Sequence, residues 1–276
     1  MADEGSILTS DGVRLRYRVV GSGPSALVVP GAAFDRDLEA LADGAQVVFY
    51  DARNRGRSDS IDDAARLGFY REVDDLERVR EHLGLERVAV LGWSYNAAVA
   101  ACYALTRTVR VSHLVLVAPI APRSDFALDP SPPPAAHLLA QLDQLRADGL
   151  EKRDPEAYCR AWRKVYVPVL LGDPSSFDRL SDPCGCPNEW PDHVTRALAH
   201  VFVDLGVYDW TEALRRLETP TLVVHGERDQ IPLESATAWV DALPGARLLA
   251  LPGVGHFPWA EAPDEFFGVV TRFLAS

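Results

Sequence analysis

Short apolar segments that end at turn-forming residues recur along the chain and predict buried strands. They span residues 26–29, 46–50, 88–91, 114–118, 221–224 and 247–251. Strands that are apolar on both faces are typical of parallel sheets, because helices cover both sides of such sheets. Helix-like segments lie between them, such as residues 74–83, whose apolar side chains recur every three or four positions before Gly84. This alternation predicts an α/β fold with a doubly wound, mostly parallel sheet.

The start of the chain has a different pattern, in which apolar and polar residues alternate. The segment ILTSDGVRLRYRVVGSG is typical of two strands joined by a turn. Asp11 and Gly12 are favourable residues for a two-residue hairpin turn. We therefore expect an antiparallel hairpin that precedes the parallel strands.

The long interval between the fourth and fifth predicted strands breaks the alternation. It contains a proline-rich stretch at residues 130–134 and helix-like segments, but no convincing strand. We therefore predict a core of residues 1–121 and 218–276 and a helical insertion of residues 122–217. Its aromatic residues either line a pocket at the carboxyl edge of the sheet or form a small core of the insertion itself. We favour the second for most of them, with one or two facing the pocket: Trp162, Tyr166, Phe177, Trp190, Phe202, Tyr208 and Trp210.

Composition narrows the function classes. The 276 residues include 28 Lys and Arg against 40 Asp and Glu, so the net charge is −12. This charge disfavours binding to nucleic acid or to an anionic membrane surface. No apolar run approaches the roughly 20 residues of a membrane span, and the acidic start lacks a signal-peptide core. We expect a cytoplasmic protein that acts on a small molecule; its oligomeric state is not readable from the sequence.

The four cysteines lack the spacing of a disulfide framework or a zinc site. Cys184 and Cys186 are the only close pair, and they lie in a segment rich in proline and glycine. We interpret this pair as a tight turn with reduced thiols rather than a redox or metal site.

One serine stands at a chemically important position in the segment VAVLGWSYNAA. Ser94 follows the strand that ends near Gly92, and a good helix, AAVAACYAL, begins three residues later. A sharp strand-to-helix turn exposes the hydroxyl above the sheet and directs the Tyr95 N–H at whatever bonds to it. A serine at a helix start is also typical of an N-cap, so the pattern alone leaves two interpretations.

Two later loops favour the catalytic interpretation, because a serine hydroxyl needs a base and the base needs an orienting acid. Asp229 follows the predicted strand TLVV, and His256 follows the strand ARLLALP. The order Ser94, Asp229, His256 is one known arrangement of a catalytic triad. Asp229 could instead be a turn residue, and His256 a structural histidine.

Four motifs together resemble a serine hydrolase of the α/β-hydrolase superfamily over nearly the full chain. They are GWSYN at 92–96, PGAA at 30–33, the DARNRGRS loop at 51–58, and the paired Asp229 and His256 loops. The stretches FYDARNRGRSD and GHFPWAEAP are most similar to the proline-iminopeptidase and small esterase groups.

This resemblance implies roles for further residues. Tyr95 and Ala32, with Ala33 as a further candidate, are implied as the N–H donors of an oxyanion hole, and the insertion is implied to be a cap. Asp125 stands at a second acid position of the superfamily and is the alternative to Asp229. We expect Ala33, Trp93, Trp162 and Tyr166 to contact the substrate. The implied chemistry requires neither a cofactor nor a metal.

Three positions depart from the superfamily pattern. Pro30 replaces the usual histidine, and Asn54 and Asn96 replace usual glycines. Asparagine tolerates positive φ better than most residues, so we expect both backbone conformations to be kept. Close packing of the helix at position 96 is a less favourable consequence.

We therefore predict a serine hydrolase that cleaves a carboxylic ester. The alternatives are a proline-iminopeptidase-like aminopeptidase or amidase, a thioesterase or acyltransferase of a biosynthetic pathway, and a noncatalytic binding protein. An aminopeptidase needs acidic residues to hold the substrate amine, and its usual elbow, Gly-Gly-Ser-Trp-Gly, differs from GWSYN. The candidate acids in the insertion are Glu151, Glu156, Asp173, Asp178, Asp182, Glu189 and Asp204.

Overall fold

One mixed sheet forms the centre of the computed structural model, which describes residues 3–31, 34–125 and 136–276. Within these residues the sheet has eight strands in the order β1-β2-β4-β3-β5-β6-β7-β8. Strand β2 runs antiparallel to β1 and β4, and the strands from β3 onward are parallel to one another. The strands are β1 (Asp3–Leu8), β2 (Arg14–Gly21), β3 (Ala26–Pro30), β4 (Gln46–Tyr50), β5 (Val88–Trp93), β6 (Val111–Val117), β7 (Thr221–Gly226) and β8 (Arg247–Leu251).

The six apolar segments all form strands of the sheet, which confirms the predicted fold class. Strand β6 begins at Val111, three residues earlier than predicted. The opening hairpin is also present, but the two-residue turn is wrong: Leu8 pairs with Arg14, so five residues connect the strands. Within this connection the Gly12 N–H donates to the Thr9 carbonyl, and Gly12 takes a positive φ of 79°.

Helices cover both faces of the sheet, as a doubly wound arrangement requires. Helices α1, α2 and α8 pack on one face, and α9 and α10 pack on the other. The helices of the described residues are α1 (Phe69–His82), α2 (Tyr95–Thr106), α3 (Ala136–Ala147), α4 (Leu150–Arg153), α5 (Pro155–Tyr166), α6 (Pro191–Leu205), α7 (Thr211–Leu214), α8 (Leu233–Ala242), α9 (Pro258–Glu261) and α10 (Pro263–Leu274). None of them is long and apolar enough to cross a membrane.

Helix α1 begins five residues before the predicted start at residue 74. Its buried face includes Glu72 and Asp75, which interrupt the apolar pattern near its first turn. Asp75 is buried because both its carboxylate oxygens accept hydrogen bonds from Arg53, at 2.6 and 2.7 Å. Asp75 can therefore occupy a buried position that a hydrophobic pattern would assign to the surface, because its charge is paired.

The segment between β6 and β7 holds helices α3 to α7, and the part of it that the structure describes contains no strand. The proline-rich stretch at 130–134 lies outside the described residues. Trp210 stacks on Phe69 of α1 with ring centroids 5.7 Å apart, and Tyr208 packs beside it. These two aromatics therefore attach the insertion to the sheet core, instead of forming a core within the insertion.

The prediction that Cys184 and Cys186 are both reduced thiols is wrong for Cys184. Cys159 on α5 and Cys184 form a disulfide, with Cα atoms 5.7 Å apart, a separation ordinary for such bridges. The partners are 25 residues apart in sequence, so the spacing gave no indication of their meeting. Cys102 and Cys186 are free thiols, and Cys184 therefore pairs across the insertion rather than with its close neighbour.

Candidate active site

Ser94 occupies a strained turn between β5 and α2. Its φ of 58° and ψ of −126° lie in a region that costs a non-glycine residue about 1–3 kcal/mol. The Ser94 N–H donates to the Val117 carbonyl at 2.9 Å, which fixes the turn to the neighbouring strand β6. A Cβ at Gly92 would lie 2.2 Å from the Asn96 carbonyl oxygen, so only glycine allows this close return of the helix.

The two asparagines that replace glycines behave differently. Asn54 has a φ of 61°, as expected for a residue that tolerates the left-handed region. Asn96 lies in the first turn of α2, and its φ is not positive. The expected reason for asparagine at position 96 is therefore wrong. Its side chain is buried, and its Oδ1 has no hydrogen-bond partner among the described residues.

Asp229 and His256 lie side by side at the carboxyl end of the sheet. The His256 Nδ1 is 2.8 Å from the Asp229 Oδ2, and the Asp229 side chain is fully buried. The other carboxylate oxygen accepts the Ile231 N–H at 2.9 Å. The alternative acid, Asp125, is 74% exposed and lies 3.5 Å from Arg123. Of the two candidate acids, Asp229 is thus the one brought to the histidine.

His225 packs beneath this pair and has a structural setting. Its Nε2 donates to the Ile231 carbonyl at 2.8 Å, and the same nitrogen lies 4.0 Å from the Asp229 Oδ2. Burial lowers the pKa of His225 and so favours its neutral form. A neutral His225 leaves the Asp229 carboxylate to His256.

The backbone of His256 is held from two sides. The Trp93 Nε1 donates to the His256 carbonyl at 2.8 Å, and the two rings lie 4.8 Å apart. The His256 N–H donates to the carbonyl of Leu170, in the insertion, also at 2.8 Å. The ring position therefore depends on both the core and the insertion.

Glu261 joins the same two segments. One of its oxygens accepts the Gly255 N–H at 3.0 Å, and the other accepts the Gly172 N–H at 2.7 Å. These glycines are required by the close approach, because a Cβ at Gly172 would lie 2.0 Å from the Gly253 carbonyl oxygen. The loop that carries His256 is thus packed backbone against backbone on the insertion.

The predicted oxyanion donors are only partly described. Tyr95 is the first residue of α2, where N–H groups have no acceptor within the helix and the helix dipole favours negative charge. Ala32 and Ala33 lie outside the described residues, so their roles stay predictions. Pro30 ends β3, where the Gly31 N–H donates to the Tyr50 carbonyl at 3.0 Å.

A cavity of about 380 Å³ lies between the turn at Ser94 and the insertion. Trp93, Trp162 and Tyr166, the described residues that we expected to contact substrate, all lie in its wall. The Trp162 and Tyr166 rings stack with centroids 4.4 Å apart. The remaining wall is mostly apolar: Phe34 comes from the segment after β3, and α5, α6 and the loops beside them supply Cys159, Val167, Leu170, Pro183, Pro191, Val194, Thr195 and Leu198.

Three charged residues also line the cavity, and two of them neutralise each other. The Arg55 Nε and Nη2 donate to the two oxygens of Glu189 at 3.0 and 2.7 Å, and the Gly56 N–H donates to Glu189 at 2.8 Å. Glu189 is thus fully engaged. Among the candidate acids for a substrate amine, it alone lies in the cavity wall that the structure describes. The third charged residue is Arg163.

Asn188 extends this connection. Its amide nitrogen donates to the carbonyls of Gly56 and Ser58 at 3.0 and 2.9 Å. We call Arg55, Gly56, Asn188 and Glu189 the clamp, because they join the 51–58 loop to the insertion. Sequence reasoning missed the clamp, since its partners are more than 130 residues apart.

A buried carboxyl lies behind the turn. Glu72 is 3% exposed, and its Oε2 has no hydrogen-bond partner in the described parts of the chain. Burial, aided by the nearby Asp75 and opposed by Arg55 and Arg53, raises the pKa of Glu72 to about 8. Glu72 is therefore protonated at neutral pH, close to the Tyr95 side chain.

Comparison with known proteins defines the class. A profile of the alpha/beta hydrolase family matches residues 26–269. The chain is 26% identical over 258 residues to a proline iminopeptidase of Heyndrickxia coagulans, covering 87% of this chain and 84% of that protein. It is 27% identical over 277 residues to the bifunctional esterase/perhydrolase DCH of Acinetobacter calcoaceticus, covering 94% and 95%. The solved esterase of Exiguobacterium antarcticum matches with a TM-score of 0.74 at 19% identity, covering 99% and 100%.

The chain therefore belongs to the alpha/beta hydrolase family, as its motifs predicted. Its relatives include esterases and proline iminopeptidases, so it is an enzyme of the hydrolase fold whose bond specificity these relatives leave open. The similar solved structure is below 25% identity and supports the fold alone.

Proposed function

We propose that this protein hydrolyses carboxylic esters of small molecules through a catalytic triad of Ser94, His256 and Asp229. The observation that carries the proposal is the 2.8 Å contact between His256 and the buried Asp229 side chain, together with a serine in a strained turn whose neighbour Trp93 donates to the His256 carbonyl. Strain of this kind is typical of functional sites, and the serine opens into the cavity. The insertion would act as the cap that excludes bulk water from this cavity.

In the proposed mechanism, His256 takes the Ser94 hydroxyl proton as the serine oxygen attacks the ester carbonyl. Asp229 orients the imidazole and stabilises its cation. The Tyr95 N–H, with Ala32 as the predicted second donor, holds the oxyanion, and His256 returns the proton to the departing alcohol. Water, deprotonated by His256, then attacks the acyl-enzyme, releases the acid and regenerates Ser94.

The charges in the cavity favour an ester over a peptide with a free amine. A substrate amine needs an unpaired carboxylate, and Glu189 is already paired with Arg55. The mostly apolar wall suits an uncharged acyl or alcohol group better than an ammonium group. Aminopeptidase activity is therefore ranked below esterase activity, and thioesterase and acyltransferase activities stay alternatives.

Covalent labelling tests the nucleophile. We expect a fluorophosphonate to add once to the wild-type protein, at the peptide that contains Ser94, and not to Ser94→Ala. His256→Ala should label at least 100-fold more slowly, because the hydroxyl has lost its base. A folded wild type that stays unlabelled would contradict the triad and favour a ligand-binding role.

Two chromogenic substrates test the bond class. We expect turnover of p-nitrophenyl acetate and little or none of proline p-nitroanilide. Faster turnover of the anilide would reverse the ranking and make the aminopeptidase the preferred function. Ser94→Ala is the matched control, because any turnover that it retains does not come from the proposed site.

A further inference from the structure

Arg163 is the cavity's one charged wall residue without a carboxylate partner within 4 Å in the described structure. It lies on α5 one position after Trp162, and its Nη2 donates to the Ser181 carbonyl at 2.9 Å. Its other guanidinium nitrogens have no recorded protein acceptor among the described residues, and they are not sealed from solvent. Because Arg163 lies in the cavity wall, these nitrogens are the donors that a group bound in the cavity could use.

Arg55 lies in the same wall and differs from Arg163 in having a carboxylate partner. Its guanidinium binds both oxygens of Glu189, so its charge is balanced within the protein. The Arg163 guanidinium instead lies 5.9 Å from the Phe177 ring centroid and bonds only to a neutral carbonyl. The difference leaves Arg163 as the charged residue of the described cavity wall that makes no ion pair within 4 Å.

The acids that act electrostatically on Arg163 take their hydrogen bonds from other groups. Asp37 accepts hydrogen bonds from the Ser181 N–H and hydroxyl, and Asp182 binds Arg160 at 2.7 Å. Glu189 is held by Arg55. Burial outweighs the attraction of these acids and lowers the pKa of Arg163, which indicates a cation that the protein stabilises incompletely.

We propose that Arg163 binds a carboxylate carried by the substrate, so that the preferred esters are anionic esters of dicarboxylic or carboxyl-substituted compounds. A guanidinium holds a carboxylate through charge-assisted hydrogen bonds, which are strong where water is partly excluded. The protein's net charge of −12 makes this a local effect of the cavity rather than attraction by the whole surface. The inference rests on the proposed esterase function and adds a substrate class to it.

Matched ester pairs test this specificity. For the acyl side the pair is mono-p-nitrophenyl glutarate and p-nitrophenyl valerate, which differ by a terminal carboxylate against a methyl group. For the alcohol side it is 4-acetoxybenzoate and its methyl ester. We expect kcat/KM for the charged member of one pair to exceed that of the neutral member by about tenfold or more.

Variants assign the preference to Arg163. Arg163→Gln should bring the charged-to-neutral ratio of kcat/KM to one or below, and Arg163→Lys should keep part of it. Lys164→Gln is the matched control, since Lys164 lies on the same helix but is exposed and outside the cavity wall. A neutral preference in both pairs, or a ratio unchanged in Arg163→Gln, would overturn the proposal.

A binding experiment separates failure of this inference from failure of the esterase proposal. Calorimetry on Ser94→Ala should show tighter binding of mono-p-nitrophenyl glutarate than of p-nitrophenyl valerate. The difference should disappear in Ser94→Ala/Arg163→Gln. If wild type cleaves none of the four esters but this difference is observed, the esterase proposal fails and the carboxylate site stands; equal binding would reject the site.

Discussion

The two walls of the cavity are built from different interactions. The core wall holds Ser94 after β5, and Asp229 and His256 follow β7 and β8 at the same edge of the sheet, whose backbone hydrogen bonds fix these strand ends. The insertion wall is held by side chains: the clamp and the disulfide. The rate of the catalytic step should therefore depend mainly on the core residues, whereas the stability of the fold and the choice of substrate should depend on the insertion wall.

The largest effect that we expect is on catalysis, from the core wall. Ser94→Ala and Asp229→Asn should lower kcat for p-nitrophenyl acetate by about 10⁴-fold, because removing one member disables a triad that works as a unit. Steady-state kinetics measures this loss. Urea unfolding of Ser94→Ala should stay near the wild-type curve, and retention of a tenth of wild-type kcat would show that the chemistry lies elsewhere.

Breaking the clamp should give the largest loss of stability. Glu189→Gln leaves the largely buried Arg55 without its partner charge, and such changes cost about 3–5 kcal/mol. We expect the urea midpoint to fall accordingly. Glu156→Gln is the control, because Glu156 makes an exposed ion pair with Arg160 on the same insertion. Equal midpoints for the two variants would mean that the clamp does not fasten the insertion.

The disulfide should contribute a somewhat smaller amount. A bridge that closes a loop of 25 residues stabilises a fold by about 3 kcal/mol, mainly by restricting the unfolded chain. Dithiothreitol should therefore lower the melting temperature of wild type to that of Cys159→Ser/Cys184→Ser. The reagent should leave the double variant unchanged; a wild type insensitive to it would contradict the contribution of this bridge.

The smallest effect, taken per pH unit, is a pH dependence that comes from the buried Glu72 behind the Ser94 turn. Because the pKa of Glu72 is about 8 in the folded state against an ordinary 4.5, folded protein holds a proton that unfolded protein releases in this range. The free energy of unfolding should fall as pH rises through this range, by up to about 1.4 kcal/mol per pH unit.

Glu72→Gln tests this sign, since glutamine resembles the protonated carboxyl and does not titrate. The variant should lose its share of the slope and become more stable than wild type near pH 8. Denaturant unfolding at several pH values measures both effects. Asp51, whose pKa burial raises to about 6, adds a slope of the same sign below pH 6 that should persist in the variant. Parallel profiles for the two proteins would contradict a protonated Glu72.

The contrast between the walls also explains what the sequence could predict. Ser94, Asp229 and His256 were found because each follows an apolar strand, and strand ends of a parallel sheet share one edge. Nothing comparable marks Cys159 with Cys184 or Arg55 with Glu189, since those pairs depend on how helices of the insertion fold over the sheet. Local periodicity carries no information on such distant pairings.

Buried charged residues are the second feature that the sequence pattern did not predict. Asp75 and Glu72 look like surface residues of α1, and only the position of Arg53 explains why Asp75 is buried. Arg163 equally resembles an exposed helical residue in the sequence. Its place in the cavity follows from the orientation of α5, which the disulfide at Cys159 helps to set.

The central claim is an acyl-enzyme on Ser94, and trapping it is the most direct test. Wild-type protein mixed with p-nitrophenyl acetate should be quenched with acid within milliseconds and digested for mass spectrometry. We predict one acetyl group on the peptide that contains Ser94, absent in Ser94→Ala. Wild type that releases p-nitrophenol in the same interval with Ser94 unmodified, or acetylated elsewhere, would contradict the account.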